Sequence, residues 1–298
     1  MTLASAPLSA ANTRRGILLM LAAIVLFTAM DALAKGLIAR YPAPQVIWAR
    51  FAGQALVVAL LLGPRRVMPA LRTHHPLAHL VRSACQFGAT SFFFVSLGYI
   101  GLAEATALTD INPVLITLGA ALFLGERLGP RRLLGVIAAL IGALIVIRPG
   151  AGVFSPAALL PLACAVCYTG NALLTRHIGS REPPWTSLLH AALFGTVAAG
   201  LALPFVWQPI TGLDLIRFAV IGLLGSGAQL CIIRSFSLAE ASVVAPFAYA
   251  GILCATFWGI VLYGEWPDFW TVIGALVIVT AGLYVWHRET VAARRAER

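Results

Sequence analysis

"LAAIVLFTAMDALAK", residues 21–35, lies over "LACAVCYTGNALLTR", residues 162–176, at a constant offset of 141. Leu21/Leu162, Ala22/Ala163, Val25/Val166, Thr28/Thr169 and Leu33/Leu174 are identical, and Phe27/Tyr168 and Lys35/Arg176 are near matches. Further on, "GLAEATAL" (101–108) lies over "SLAEASVV" (237–244) at an offset of 136. "FLGERLGPRRLLGVIAALIGALIVI" then lies over "LYGEWPDFWTVIGALVIVTAGLYVW" at 139. One unit of about 140 residues is therefore present twice, with residues 1–150 expected as the first repeat and 151–298 as the second.

The repeat is written in a membrane composition. The chain is 60% hydrophobic and 11% charged, with a mean hydropathy of +0.91. A soluble domain of this length cannot hide so much apolar surface from water. Apolar runs of about 20 residues, long enough to cross roughly 30 Å of hydrocarbon, recur with short gaps. There are ten: 16–38, 44–63, 77–98, 103–124, 131–147, 155–177, 185–204, 214–236, 240–262 and 269–287. The first is too long for a signal-peptide core and is followed by no small-residue cleavage site, so it reads as a mature span. The expected fold is an all-α integral membrane protein of ten transmembrane helices, five per repeat.

An odd number of spans per repeat obliges the second copy to enter the membrane from the opposite side. Inverted repeats of this kind are the architecture of secondary transporters, with a substrate path near the midplane. The charge pattern agrees with ten spans. With both termini in the cytoplasm, the cytoplasmic segments hold 15 arginines, and the opposite side holds Lys35, Arg40, Arg148 and Arg217. The net charge of +10 thus reports topology in a bacterial inner membrane, and nucleic acid is not an expected partner.

Each repeat carries "LAEA" at the entry to its fourth run, a proline inside that run, "GE" at its end and a glycine-rich fifth run. This arrangement resembles the EamA-type members of the drug/metabolite transporter superfamily across essentially the whole chain, and among them the YddG-like amino acid exporters. The resemblance implies export of amino acids or related metabolites by alternating access, and places runs 1, 3, 4, 6, 8 and 9 around the cavity. A drug or other metabolite exporter of the same fold is the alternative. One departure stands out: Pro113 follows Glu104 by nine residues, whereas Pro246 follows Glu240 by six, so the two halves are not expected to bend identically.

Ionisable side chains in hydrocarbon cost at least about 2.5 kcal/mol each on the insertion scale, which makes them functional candidates. Counted from the outer ends of their runs, Asp31, Arg50 and Asp110 share one layer roughly 10 Å deep. They read either as a structural ion cluster, in which one arginine neutralises two carboxylates, or as a site where Asp110 or Asp31 binds a substrate ammonium or carries a coupling proton. Lys35, one turn after Asp31, is an alternative partner. Gln86, Asn112, Asn171 and Gln229 fall on the implied cavity helices as path groups or interhelical glue. Tyr99, Tyr168, Tyr249 and Trp258 are candidate aromatic walls, and Pro113 and Pro246 candidate bends.

Other chemistry is thinner. Cys164 and Cys167 have CxxC spacing but sit in a run, and read as small packing residues with no disulfide. "THHPLAH" (73–79) offers His74, His75 and His79 without a neighbouring carboxylate, and reads as a solvated loop with no metal. Arg82 and Arg234 are expected to snorkel to the cytoplasmic face. Ser226 in "GLLGSGAQ" with His190 superficially suggests an intramembrane serine protease, but a glycine–serine context equally serves close helix packing. No filter-like loop or GxxxxGK[ST] motif occurs, so neither a channel nor an ATP-driven pump is expected. The expected partners are the lipid bilayer, a small-molecule substrate and protons, without a cofactor, for a chain working as a monomer.

Overall fold

Prolines open the helices of this chain and glycines close several of them. Proline occupies the first or second position of α2 (Ala43–Leu62), α4 (Pro76–Ser96) and α9 (Pro184–Gly200), where its missing N–H is no loss. Gly63 and Gly264 cap α2 and α13 (Ala250–Tyr263) at φ of 69° and 65°, a region that suits a residue without a side chain. The computed structural model describes residues 10–124, 130–148, 156–178, 182–239 and 241–296. Among them every regular element is helical: the remaining helices are α1 (Ala10–Ile38), α3 (Pro64–Ala70), α5 (Leu102–Thr109), α6 (Asn112–Leu124), α7 (Pro130–Ile147), α8 (Leu159–Ile178), α10 (Leu203–Val206), α11 (Asp214–Leu238), α12 (Ala241–Val244) and α14 (Phe269–Ala296).

Six helical stretches among the described residues are long and apolar enough to cross a membrane: Asn12–Ile38, Ala43–Leu62, Pro156–Thr175, Asp214–Leu238, Pro246–Tyr263 and Phe269–His287. Helix also occupies most of each remaining apolar run. One is α4, whose stem carries His79, Arg82 and Ser83, and one is α9, with 17 residues. A third is divided between α5 and α6, and the last is α7. Large apolar side chains such as Leu60, Phe123, Leu201 and Leu253 stand more than two thirds exposed, the surface expected of a protein solvated by lipid.

Packing crosses the two sequence repeats. From one repeat, α1 lies against α11 and the 3₁₀–α13 segment of the other, while α8 lies against α4, α5 and α6. Helix α2 packs on both α9 and α11, α4 packs on α9, and α7 packs on α14. Exchanging the repeats turns the first set of contacts into the second and leaves α2·α9, α5·α13 and α7·α14 as pairs.

Two of these crossings depend on glycine. A Cβ on Gly53 would come 2.7 Å from Gly222 Cα, and one on Gly222 would come 2.5 Å from Gly53 Cα, so α2 and α11 touch backbone to backbone. Gly142 and Gly274 do the same for α7 and α14, where a Cβ on Gly274 would lie 2.7 Å from the Gly142 carbonyl. Close approach at small residues is how helices gain packing contacts in lipid, where burial from water contributes nothing.

The fourth run of each repeat is interrupted. In the first, α5 stops at Thr109, Asp110 and Ile111 form a turn, and α6 restarts at Asn112 with Pro113 as its second residue. In the second, α12 passes into a 3₁₀ stretch, Ala245–Tyr249, that contains Pro246 and leads into α13. At the offset of 136 Asp110 falls on Pro246, so both interruptions occupy one place in the repeat while differing in form.

Candidate functional site

The turn between α5 and α6 sets Asp110 and Asn112 at the centre of the bundle. Asp110 is half-buried, with its Oδ2 sealed from solvent. Asp31 on α1 is likewise half-buried, and Tyr168 on α8 keeps 41% of its surface accessible. Tyr168 and Tyr249 both lie within electrostatic range of Asp110.

Several polar atoms here have no partner. Asp110 Oδ2, Asn112 Oδ1, Asn171 Oδ1, Tyr249 OH and Arg50 Nε and Nη1 are sealed from water and make no hydrogen bond. A buried polar group left unmatched costs about 1–3 kcal/mol, so a collection of them needs a reason. Asn171 Nδ2 donates to Gln86 Oε1 at 3.0 Å, tying α8 to α4 as interhelical glue and leaving one amide oxygen of the pair unused.

The ion cluster expected from the sequence is not closed. Arg50 is in electrostatic range of Asp31, but among the described residues no ion pair joins it to Asp31 or Asp110. Its guanidinium instead sits 4.8 Å from the Phe51 ring centroid and 6.0 Å from that of Phe94. Nor does Lys35 turn to Asp31. It reaches Glu265 Oε1 at 2.7 Å and donates to the Ile100 carbonyl at 2.7 Å, both beyond the end of α5 nearest the loop.

Other expected residues lie elsewhere. Tyr99 is 72% exposed on the α4–α5 corner and is no wall of an interior path. Trp258 packs edge-on against Phe257 at 5.2 Å and joins the hydrophobic cluster around Phe51 and Phe94. Tyr249 is buried with its hydroxyl directed at Gly282 of α14, where a Cβ would overlap it. Gln229 is half-buried on α11.

Two sequence readings are corrected. His79 is not solvated: it is fully buried and bonds Glu182 at 2.7 Å, a carboxylate 103 residues away that short-range inspection of "THHPLAH" does not find. Arg82 does not snorkel, because α8 and α9 cover it and supply Thr175 Oγ1 at 2.7 Å and the Ser187 carbonyl at 3.0 Å as acceptors. Ser226 and His190 form no catalytic pair. Ser226 donates to the Gly222 carbonyl at 2.7 Å, and His190 Nδ1 contacts the Thr186 carbonyl at 2.8 Å while its ring lies 5.1 Å from that of His79. The five cysteines are free.

Comparison with known proteins gives a consistent answer. The pattern of the EamA-like transporter family matches residues 14–148 and again 155–286. A riboflavin transporter of Rhizobium johnstonii is 31% identical over 238 residues, 80% of this chain and 79% of that protein. The pseudopaline exporter CntI of Pseudomonas aeruginosa is 31% identical over 278 residues, 90% of this chain and 94% of its own length. An S-adenosylmethionine uptake transporter of Rickettsia bellii is 24% identical over 272 residues, covering 90% and 92%. A solved crystal structure superposes with a TM-score of 0.63 at 22% identity, over 95% of this chain and 99% of its own, which speaks for the fold alone.

Proposed function

The chain belongs to the EamA-like transporter family, and on that footing we propose that it is a secondary transporter whose cargo crosses the Asp31–Asp110 layer by alternating access. It is a membrane transporter of small metabolites and not an enzyme. In this reading the ten apolar runs are ten spans in two inverted halves, residues 1–150 and 151–298, with both termini in the cytoplasm. The exchange symmetry of the helix contacts supports that arrangement, as do the paired interruptions at Asp110 and Pro246.

The moving bodies are then mixed bundles, one of α1, α11 and α13 and the other of α8, α4, α5 and α6. The outer junction between them is the corner at 100–102, held by Lys35 and Glu265. With that corner closed, the path opens toward the cytoplasm.

One observation carries the proposal. Polar atoms of Arg50, Asp110, Asn112, Asn171 and Tyr249 are buried without partners among the packed helices, with the half-buried Asp31 in electrostatic range of Arg50. Asp31, Asp110, Asn112, Asn171, Gln86 and Tyr168 line the path, and protons are the candidate coupling ion at Asp110. The named relatives include an exporter and an uptake transporter, so direction follows the gradients imposed. Their cargoes are not simple amino acids. Amino acids, the class expected from the sequence, stay within the reading as one kind of small polar metabolite.

The test is chemical access. Asn112→Cys in a chain lacking the five native cysteines should react with a membrane-impermeant thiol reagent from the cytoplasmic side, and from the other side once Glu265→Gln loosens the corner. Protection from both sides under every condition contradicts a path through this layer.

A further inference from the structure

We propose that the corner where α3, the start of α4 and the start of α9 meet is the seat of one anionic diacyl phospholipid of the cytoplasmic leaflet. The inference takes its membrane orientation from the transport reading and goes beyond it, since it concerns a surface and not the cargo path. Two open grooves flank the first turns of α4. One, of about 520 Å³, lies toward α8 and is lined by His74, His75, Ala78, Val81 and Leu174. The other, of about 610 Å³, lies toward α9 and is lined by Leu80, Ser83, His190, Leu193, Phe194 and Val197, with His79 buried at its base. Pro76 and Leu77 belong to both, and Leu77 stands 71% exposed as the ridge between them. The outward walls are aliphatic, for Leu80, Val81, Leu193 and Val197 are all exposed. The second groove reaches Ser83, about 10 Å of helix rise from Pro76, and Val197, about 20 Å from Pro184. That range brackets one leaflet, half of a roughly 30 Å hydrocarbon core. Two apolar grooves of this depth meeting at one point suit the two chains of a single lipid.

Charge at the mouth of the grooves selects the headgroup. Helix α3 is held against the start of α9 through Val67, Ala70 and Leu71, which pack with Trp185, Leu188 and Leu189. Arg65 and Arg66 of α3 and Arg72 just beyond it are left exposed, and among the described residues none of the three enters an ion pair. Glu182, the carboxylate that reaches this corner, is already spent on Thr73, the His74 N–H and His79. Helix α4 starts at Pro76 without a side-chain cap, so its first N–H groups add to the positive field. Three uncompensated arginines at the cytoplasmic end of two apolar grooves favour a headgroup with net negative charge, whereas a choline headgroup brings a cation of its own into that field.

The test is native mass spectrometry of the detergent-purified protein with added dioleoylphosphatidylglycerol, its single-chain lyso form or dioleoylphosphatidylcholine, with thermal melting as the check on folding. One phosphatidylglycerol should be retained per chain, at least tenfold more tightly than phosphatidylcholine or the lyso form. Arg65→Gln, Arg66→Gln and Arg72→Gln together should shrink the preference between the two diacyl lipids to within twofold. Arg14→Gln, Arg15→Gln and Arg234→Gln together remove the same charge from exposed positions on α1 and α11 and should leave the preference intact. Val197→Trp fills the second groove from an exposed position and should cut phosphatidylglycerol retention fivefold or more, with Leu80→Trp in its place should that variant not fold. Equal retention of the two diacyl lipids, lyso lipid held as tightly as diacyl, undiminished preference in the folded first triple variant, or equal loss in both triple variants overturns the assignment. A dimer that Val197→Trp splits gives the groove to a second copy of the chain and overturns it as well. No flux is measured, so failure here leaves the transport reading standing.

Discussion

Lys35 Nζ stands 2.7 Å from Glu265 Oε1, and both side chains spend their remaining capacity on the same corner of the chain. Lys35 donates to the Ile100 carbonyl at 2.7 Å, and the Leu102 N–H donates to Glu265 Oε2 at 3.1 Å. The hydroxyl of Tyr263 adds a hydrogen bond to the Ala32 carbonyl, fixing the ends of α1 and α13 to each other. A pair from one bundle thus grips the backbone of the other. Glu265→Gln should weaken the grip by about 1.4 kcal/mol, the scale of a charge-assisted hydrogen bond. Hydrogen exchange at Leu102 should then accelerate about tenfold, and an unchanged rate would show that the corner is held by packing instead.

The α2–α11 crossing predicts a contrast between glycines of one helix. Gly222→Ala places a methyl 2.5 Å from Gly53 Cα, backbone that cannot yield, and should cost about 1–3 kcal/mol. Gly227→Ala on the same helix meets only Leu26 Cδ1 at 3.5 Å, an ordinary contact, and should be neutral or stabilising by up to about 1 kcal/mol through helix propensity. Melting curves of the two variants in one detergent compare them directly.

Glu182 predicts a pH dependence with a definite sign. Burial raises its carboxyl, but hydrogen bonds from Thr73, the His74 N–H and His79 outweigh that effect and hold it down to about 2, from an ordinary value of 4.5. A depressed folded value contributes stability that is complete above 4.5 and is lost as the pH falls toward about 2. Glu182→Gln should therefore melt below the unaltered protein at pH 7, and the gap should narrow only in acid between those limits. A gap that is constant across that range would mean the contacts are indifferent to charge.

Asp110 predicts a separation of coupling from passage. Asp110→Asn should abolish accumulation driven by a pH gradient while leaving exchange of cargo down its own gradient within about threefold, and Asp31→Asn should impair both. The comparison needs the same proteoliposomes with and without an imposed pH gradient. Full gradient-driven accumulation in Asp110→Asn would move the proton site elsewhere.

Much of the fold was legible because lipid imposes a length and a composition on each span. The apolar runs at 44–63 and 214–236 coincide within two residues with α2 and α11. The Asp110–Pro113 stretch, with a carboxylate, an amide and a ring that cannot donate, marked the interruption between α5 and α6. Side-chain partners were not legible, because they are fixed by helix rotation and by contacts over long separations. Lys35 was one turn from Asp31 in sequence yet chose Glu265, 230 residues on, and His79 chose Glu182. Depth counted from the span ends put Arg50 in one layer with two carboxylates, and Arg50 is in electrostatic range of Asp31, but depth says nothing of direction, and its side chain lies over Phe51 and Phe94. Tyr99 was misplaced for a related reason: the last turn before a corner reads like wall, and at 72% exposure it is surface.

The central claim, that this chain carries a small polar metabolite through the Asp31–Asp110 layer, is tested most directly by flux. Purified protein in vesicles loaded with S-adenosylmethionine should release it well above protein-free vesicles, and Asp31→Asn, correctly folded, should reduce the rate at least tenfold. Release by folded Asp31→Asn and Asp110→Asn at the rate of the unaltered protein would contradict the account, because the cargo would then be crossing by another route.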